Sequence, residues 1–239
     1  MKKLLLALSV SALMAGAVQA SEWGYADEHG PAHWGSVSAT CAQGVNQSPI
    51  DIQGDVKADL QDLKLNYSGK VTGLTNNGHT LQAVVEGDNT LTVDGKTFNL
   101  LQFHFHTPSE NLISGKQYPL EAHFVNSDEK GELAVISVMF DKGVESEFLT
   151  SLTQTMPKVG ETATLSTPLN VADLLPEYDE YYRFNGSLTT PPCSEGVRWF
   201  VLKDVNKLAG SQAEKMMSVM GHNNRPVQAV NARQIVTNN

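Results

Sequence analysis

The sequence has few cysteines, few charged residues and no long apolar run beyond its N-terminus. Each of these absences argues against a particular class of protein or kind of site. Its two cysteines lie far apart, so a zinc site built from paired cysteines is not expected. Because no later run reaches about eighteen apolar residues, the mature chain is predicted to insert into no membrane. The net charge of −9 argues against nucleic acid or anionic lipid as a partner and favours small substrates.

Residues 1–20 have the pattern of a secretory signal. Lys2 and Lys3 precede a stretch of apolar or small residues at 4–18, and Ala20 supplies the small residue of a cleavage site. We therefore expect a mature domain at 21–239 and a periplasmic location. Secretion into the medium and an uncleaved anchor are the alternatives.

The two cysteines have two interpretations. An even count in an exported protein favours a disulfide, here between Cys41 and Cys193, which would close a very long loop. Two free thiols are the alternative that the sequence leaves open.

Short β-rich segments separated by turn signals predict a mainly β, single-domain protein. Asn-Gly, Gly-Asp and Asp-Gly pairs at 77–78, 87–88 and 94–95 are typical of hairpins. The predicted strands are 63–67, 73–76, 80–85, 91–93, 97–106, 120–126, 133–141, 181–185, 198–203 and 228–230. Helices are expected only at 145–152 and 211–220, with Ser211 capping the second. The sequence contains no fixed-period repeat, low-complexity tract or dividing linker.

Three histidines on two of these predicted strands are candidate metal ligands. His104 and His106 are two residues apart, so in a strand they point to one face, while Phe103 and Phe105 point to the other. His123 lies on the next predicted strand, after a proline-containing segment that allows the chain to turn back. If the two strands pair as antiparallel neighbours, the three imidazoles meet.

Three neutral histidines leave the fourth position of a tetrahedral zinc ion open for water, which is typical of a catalytic site. Gln102 and Glu121 each lie two residues before a proposed ligand, where each can accept a hydrogen bond from the ligand's second ring nitrogen. The alternative is that these histidines are ordinary core or surface residues. Of the other histidines, His33 is expected to be buried beside Trp34.

The order of motifs along the chain resembles that of the alpha-class carbonic anhydrases of the exported bacterial type. No single motif is specific, but together they extend over nearly the whole predicted mature chain. They are WGY at 23–25, PAHW at 31–34, NQSPIDI at 46–52, NNGH at 76–79, QFHFH at 102–106, SE at 109–110, EAH at 121–123, LP at 175–176, GSLTTPPC at 186–193, WFVL at 199–202 and NNRPVQ at 223–228.

This resemblance implies a large, twisted, mostly antiparallel sheet with short peripheral helices and a zinc ion in a conical cavity. It implies reversible hydration of carbon dioxide to bicarbonate by attack of a zinc-bound hydroxide, with weak esterase activity as a side reaction. It also supports a Cys41–Cys193 bridge that ties the N-terminal region to the loop of Thr189. The alternative is a non-catalytic binding module on the same fold. The sequence sets no oligomeric state, and an oligomer is compatible with it.

The resemblance also assigns roles to individual residues. His104, His106 and His123 would bind zinc, and the Thr189 hydroxyl would direct the attacking oxygen while giving its own proton to Glu110. His79 matches the proton-shuttle position, since an unshifted histidine titrates near neutral pH. Weaker candidates for a polar wall that orders water are Tyr25, Asn77 and Gln82. The carbon dioxide pocket would be formed by Val125, Val135, Leu188, Thr190, Val197 and Trp199.

Overall fold

The computed structural model describes residues 23–154 and 156–238, so the predicted signal at 1–20 lies outside the described residues. The strands are β1 (Asp51–Ile52), β2 (Val56–Lys57), β3 (Lys64–Tyr67), β4 (Lys70–Asn76), β5 (Leu81–Glu86), β6 (Asn89–Val93), β7 (Lys96–His106), β8 (Leu112–Ile113), β9 (Leu120–Ser127), β10 (Leu133–Lys142), β11 (Thr162–Asn170), β12 (Tyr181–Ser187), β13 (Glu195–Leu202), β14 (Asn206–Leu208) and β15 (Val236–Thr237). The helices are α1 (Ala39–Gln43), α2 (Glu147–Leu152) and α3 (Gly210–Met220), with 3-10 helices at Asp27–His29, Pro31–Ser36 and Val171–Leu174.

One large sheet dominates the described chain. Its main path runs β11-β4-β5-β7-β9-β10-β13-β12-β15-β2, with β3 and β6 attached beside β7 and β14 beside β10. Parallel pairs within it join β10 to β13 and β14, and β15 to β2; the other pairs are antiparallel. The predicted class, a mainly β protein with a large, mostly antiparallel sheet and few short helices, is confirmed.

The strand pair β7–β9 separates an apolar face from a histidine face. Phe103 lies opposite Phe124 in the antiparallel register, and His104 lies opposite His123. The phenylalanine rings stack at 4.8 Å, and Phe105 packs edge-on to Phe103 at 5.8 Å, inside the larger hydrophobic core. Because side chains alternate along a strand, the three histidines share the other face.

A second, smaller apolar cluster lies on the histidine side of the sheet. It includes Val125 of β9, Val135 of β10 and Trp199 of β13, which are cross-strand neighbours, and Phe184 of β12 stacks on Trp199 at 6.0 Å. The histidines therefore sit beside an apolar surface as well as above the main core.

The short helices are fixed by their caps. The Ser146 hydroxyl accepts a hydrogen bond from the Leu149 amide at the start of α2. The predicted cap of α3, Ser211, is wrong: the N-cap is Ala209, and Gln212 Oε1 accepts the Ala209 amide at 3.0 Å. The longer amide side chain of Gln212 reaches back to that N–H, so a serine cap is not needed. No helix within the described residues has the length and apolarity needed to cross a membrane.

Other local predictions also differ from the structure. Helices were expected only at 145–152 and 211–220, but α1 is a further short helix, and the short strands β1, β2, β8, β14 and β15 were not predicted. Residues 228–230 form no strand; they belong to an irregular segment in which the Gln228 amide donates to Pro49 O at 2.7 Å. β11 was not predicted, because its threonine-rich, proline-containing sequence is largely exposed and its apolar alternation is weak, limited to Ala163, Leu165 and Leu169. His33 is exposed rather than buried, since the Trp34 indole fills the interior position alone.

Cys41 and Cys193 form a disulfide, so the alternative of two free thiols is wrong. The bridge is buried against Trp34, and Trp23 and Tyr25 pack on the same cluster. It joins α1 to the loop that follows β12, the loop that carries Thr189.

Candidate metal centre

The three candidate ligands converge at one point on the sheet. The ring centroids of His104 and His106 are 5.0 Å apart, those of His104 and His123 are 5.5 Å apart, and those of His106 and His123 are 4.5 Å apart. One nitrogen from each ring lies within 4.8 Å of the other two, so this group could hold a metal ion. His104 is partly exposed whereas His106 and His123 are buried, so the group opens toward solvent at His104.

The two predicted outer partners make the expected contacts. His104 donates from Nδ1 to Gln102 Oε1 at 2.8 Å, and His123 donates from Nε2 to Glu121 Oε1 at 2.8 Å. These bonds fix the two rings and leave His104 Nε2 and His123 Nδ1 free to face the third histidine.

The outer partner of His106 is a main-chain oxygen that the sequence analysis missed. His106 donates from Nδ1 to Asn223 O at 2.7 Å. The Asn223 side chain is itself held, because Oδ1 accepts the Thr107 amide at 2.7 Å and Nδ2 donates to Phe105 O at 2.9 Å and to His79 O at 3.0 Å. A main-chain acceptor far along the chain leaves no side-chain signal, although Asn223 belongs to the NNRPVQ motif.

Glu121 is a buried carboxylate with many donors. Oε1 accepts hydrogen bonds from Ser137 Oγ at 2.6 Å and Asn111 Nδ2 at 2.8 Å, besides that from His123, and Oε2 accepts the main-chain amide of Glu110 at 2.6 Å. Burial alone would raise the pKa of Glu121, but the nearby His123 and these hydrogen bonds outweigh it and lower the pKa to about 2. The carboxylate is therefore charged and orients His123. Ser137 and Asn111 were not predicted, since Ser137 is brought here by the pairing of β9 with β10 and Asn111 by the loop between β7 and β8.

The electrostatics of the rings suit metal binding. Burial lowers the pKa of His104 well below its usual value, and the neighbouring His106 and His123 add to this effect. Burial likewise lowers the pKa of His106, so these rings are neutral and can donate lone pairs. Within the described residues, His106 Nε2 is buried without any hydrogen-bond partner. A buried nitrogen that lacks a partner, in a group of three imidazoles, fits a zinc ligand.

Glu110 and Thr189 lie next to this group. Glu110 Oε1 accepts the Arg225 amide at 2.8 Å, while Oε2 lies 3.4 Å from His106 Nε2 and 3.8 Å from His123 Nδ1. Burial raises the pKa of Glu110 to about 7, although the nearby His123, the Arg225 amide and the nearby Thr189 hydroxyl act in the opposite direction. Among the described residues, Glu110 Oε2 is buried without a hydrogen-bond partner, so it is free to accept a hydrogen bond from a hydroxyl that moves within reach. Thr189 is also buried, so its hydroxyl and this carboxylate form a pair largely shielded from water.

His79 lies at the partly exposed tip of the turn between β4 and β5. Its ring stacks on Trp23 with 3.8 Å between centroids, and its amide donates to Asn77 Oδ1 at 2.9 Å. Partial burial lowers the pKa of His79 from its usual value. Of the weaker candidates, Gln82 lies opposite His104 in the sheet, and Tyr25 packs between Trp23 and Trp34 in the aromatic cluster.

The predicted carbon dioxide pocket coincides with the smaller apolar cluster. Val125, Val135, Val197 and Trp199 belong to it, and Leu188 packs against it. The ring of Trp199 stands edge-on to His123 at 4.9 Å, so apolar surface directly adjoins a candidate ligand. Thr190 is outside this cluster, and its carbonyl accepts the Cys193 amide at 2.8 Å.

Comparison with known proteins agrees with this geometry. A family model described as eukaryotic-type carbonic anhydrase matches residues 29–239. A carbonic anhydrase of Neisseria gonorrhoeae is 45% identical over 90% of this chain and 88% of its own length. One of Klebsiella pneumoniae is 46% identical over 98% of this chain and 97% of its own length. The solved alpha-carbonic anhydrase of Photobacterium profundum is 61% identical, with a TM-score of 0.88 over 90% of this chain and 100% of that chain.

The chain therefore belongs to the eukaryotic-type, or alpha-class, carbonic anhydrase family, as its sequence predicted. It is an enzyme of that family, and the relatives named above place it with the bacterial members. The fold is also similar to a protein of another name: the structure of dioscorin complexed with ascorbate is 28% identical, with a TM-score of 0.82 over 91% of this chain and 98% of that chain.

Proposed function

We propose that the protein catalyses the reversible hydration of carbon dioxide to bicarbonate and a proton, with zinc held by His104 Nε2, His106 Nε2 and His123 Nδ1. The observation that carries the proposal is the convergence of three ring nitrogens within 4.8 Å, while the opposite nitrogen of each ring is occupied by a hydrogen bond. Three neutral nitrogen ligands with a fourth position open to water are typical of catalytic zinc.

Zinc bound in this way supplies a Lewis acid that lowers the pKa of coordinated water to about 7, a value established for carbonic anhydrases as a class. The protein contributes the neutral donors and their orientation. Gln102, Glu121 and the carbonyl of Asn223 each hold one ring, which keeps the three lone pairs aimed at a common point.

Thr189 and Glu110 orient the reacting oxygen. A hydroxyl that donates its proton to a carboxylate keeps its lone pairs free, so it can only accept a further hydrogen bond from the reacting group. The proximity of Thr189 to Glu110, which lowers the pKa of that carboxyl, supports this polarity, and the Arg225 amide holds the carboxylate through Oε1 while Oε2 stays available. The pair therefore imposes one direction on an oxygen bound near the histidines.

The apolar cluster holds the substrate. Carbon dioxide is apolar and gains little from polar contacts, so Val125, Val135, Val197, Leu188 and Trp199 are proposed to bind it beside the histidines and to displace water. The edge-on contact between Trp199 and His123 supports a position for the substrate close to the ligands. Thr190, which follows Thr189 on the same loop, is proposed to contact the more polar bicarbonate.

His79 relays the proton to buffer. Its imidazole is partly exposed, partial burial lowers its pKa from the usual value, and the His79 carbonyl accepts a hydrogen bond from Asn223, the residue that also holds His106. The stacking contact with Trp23 supports a defined resting position for the ring.

We also propose weak esterase activity at the same site. A further proposal is export to the periplasm directed by residues 1–20, which lie outside the described residues.

The proposed function is tested by measuring bound zinc and the rate of carbon dioxide hydration with a pH indicator, alongside hydrolysis of an activated ester. We expect about one zinc per chain, fast hydration and slow ester turnover. His104→Ala should lose most of the zinc and reduce hydration to background, whereas His222→Ala, which changes an exposed histidine, serves as the matched control.

Unchanged zinc content and hydration in His104→Ala would contradict the ligand assignment. A wild-type protein that binds no zinc and hydrates no carbon dioxide would favour the alternative, a non-catalytic binding module on the same fold.

A further inference from the structure

Arg225 is a buried arginine whose guanidinium forms no ion pair with an acidic side chain among the described residues. The residue is only 3% exposed. Nη1 donates to Gln47 Oε1 at 2.9 Å and to Ser48 O at 2.8 Å, Nη2 donates to Cys41 O at 2.9 Å, and the guanidinium lies over the Trp34 ring at 5.7 Å. Every acceptor in these bonds is a neutral oxygen.

A buried guanidinium with neutral acceptors is an expensive way to stabilise a fold. Removing it from water costs several kcal/mol, and neutral dipoles return less of that cost than a carboxylate does. What arginine offers here is geometry, because its rigid fork of donors holds several acceptors at fixed distances from one another. The contacts of Arg225 therefore suit the positioning of other groups better than the stabilisation of the fold.

The first group that Arg225 positions is the Glu110 carboxylate. The main-chain N–H of Arg225 donates to Glu110 Oε1 at 2.8 Å. Residues 221–230 contain neither helix nor strand, so no sheet ladder fixes the place of this amide. Its place depends instead on hydrogen bonds to other segments: main-chain bonds from Asn223 N to Thr107 O and from Gln228 N to Pro49 O, and the side-chain bonds of Asn223 and of the Arg225 guanidinium itself.

Arg225 also positions the loop that carries Thr189. Gln47, which accepts from Arg225, donates from Nε2 to Cys193 O at 3.0 Å, and the Cys193 amide donates to Thr190 O at 2.8 Å. Ser48, whose carbonyl also accepts from Arg225, exchanges two hydrogen bonds with Ser187: its amide donates to Ser187 Oγ at 2.9 Å, and its hydroxyl accepts the Ser187 amide at 3.1 Å.

The loop of Thr189 is thus held on both sides by a dipeptide that Arg225 binds, and Glu110 is held by the amide of Arg225 itself. We propose that Arg225 and Gln47 are positioning residues that set the spacing between the Thr189 hydroxyl and the Glu110 carboxylate. This inference rests on the proposed function of the Thr189–Glu110 pair and extends it to two residues that touch neither substrate nor metal.

The test compares Arg225→Lys and Gln47→Met, each alone and combined with Thr189→Ala. Lysine keeps the charge and the main-chain amide of position 225 but loses the fork, and methionine keeps the size of Gln47 without its amide. Arg233→Lys is the matched control, because the Arg233 guanidinium also donates to main-chain carbonyls, those of Val230, Asn185 and Ala229, without bonding to Glu110 or the Thr189 loop.

We expect Arg225→Lys to lower kcat/KM per bound zinc by about 10- to 100-fold, because small displacements of orienting groups cost that much. kcat should fall less where proton export limits it. In the Thr189→Ala background the same change should cost less than about 2-fold, since residues that act through one another are not additive. Arg233→Lys should leave kcat/KM unchanged.

A second readout is independent of zinc and activity. In the metal-free protein, Gln47→Met should accelerate hydrogen exchange at the amides of positions 225 and 193, and Arg233→Lys should not. This measurement, with the kinetics of Gln47→Met, decides the question if Arg225→Lys does not fold.

The inference is overturned if kcat/KM per bound zinc stays at the wild-type value in the folded variants. An equal loss in both backgrounds would also overturn it, because that would show a general structural role. Failure of the proposed function gives a different pattern: the wild type would lack zinc-dependent hydration, or Thr189→Ala would match the wild type, while the exchange data would still report on the contacts of Arg225.

Discussion

At the scale of single residues, the Thr189 hydroxyl can be separated experimentally from the zinc ligands. Thr189 lies near Glu110 and is proposed to orient the reacting oxygen. The partners of the three histidine rings in the described structure are instead Gln102, Asn223 and Glu121. Thr189→Ala should therefore keep the zinc and lower kcat/KM by at least about tenfold, as loss of an orienting group does in other enzymes. Thr189→Ser, which restores the hydroxyl, is the control, and metal analysis alongside hydration kinetics is the measurement. Wild-type turnover in Thr189→Ala would contradict the assignment.

His79 gives a prediction on proton transfer. Without a relay group, release of a proton from a site of pKa about 7 is limited to roughly 10³ s⁻¹, because the reverse reaction cannot exceed diffusion. His79→Ala should fall toward that rate in dilute buffer and recover when imidazole is added at high concentration. His33→Ala, an exposed histidine outside the candidate site, should show neither effect. An unchanged kcat of His79→Ala in dilute buffer would place the relay elsewhere.

The pH dependence of the same step follows from the environment of His79. Partial burial lowers the pKa of His79 below its usual value near 6.5, because burial disfavours the charged ring. The neutral ring, which accepts the proton, therefore predominates above a midpoint lower than 6.5. The relay-dependent part of kcat should rise with pH through that midpoint, and the rise should be absent from His79→Ala. Titration of the ring by NMR should give the same midpoint; a midpoint above 6.5 would disagree.

The hydrogen-bond partner of a ligand histidine can be predicted from the sequence only when the partner lies close by on the same strand. Gln102 and Glu121 were predictable as partners of His104 and His123 because each stands two positions earlier on the same strand. The partner of His106 was not, because the Asn223 carbonyl comes from an irregular segment and no side chain marks it.

At the scale of secondary-structure elements, the pair β7–β9 carries both stability and the site, on opposite faces. Phe103 is fully buried in the main core, while its neighbour His104 faces the other way. Phe103→Ala should lower the free energy of unfolding by about 3–5 kcal/mol, the usual cost of truncating a core phenylalanine. The folded variant should still bind zinc. Chemical denaturation and metal analysis are the measurements, with Leu101→Ala, a truncation at an exposed position of the same strand, as the control.

If folded Phe103→Ala lost its zinc while its free energy of unfolding stayed unchanged, the phenylalanine face of β7–β9 would serve metal binding and not stability, which contradicts this prediction.

Strong alternation predicted the central elements well, and weak alternation explains the errors. The predicted strands at 97–106 and 120–126 agree with β7 and β9 to within a residue at each end. β11 lies at the edge of the sheet and exposes most of its polar side chains, so its pairing with β4 has little sequence signal. At 228–230, β-forming residues occupy an irregular segment because tertiary anchors, not strand neighbours, fix it.

At the scale of the whole molecule, the disulfide is the longest-range covalent constraint in the chain. Cys41 and Cys193 are separated by 152 positions. The chain-entropy model gives a bridge across a loop of this length roughly 5 kcal/mol of stabilisation, acting through the unfolded state. The free energy of unfolding of the double variant Cys41→Ser/Cys193→Ser should therefore be lower than that of the wild type by up to about 5 kcal/mol. The double variant should accordingly unfold at a lower denaturant concentration. Equal stability of the oxidised wild type and the double variant in denaturant titrations would contradict this expectation.

The hydrogen bonds behind the three imidazoles also make them chemically unequal. His104 shares its outer proton with an amide, His106 with a peptide carbonyl and His123 with an ionised carboxylate. Because an anion draws a shared proton most strongly, the ring of His123 carries the greatest imidazolate character and is the strongest electron donor of the three. If a zinc ion binds at their meeting point, as proposed, its three bonds would be graded rather than equivalent, with the firmest attachment to β9.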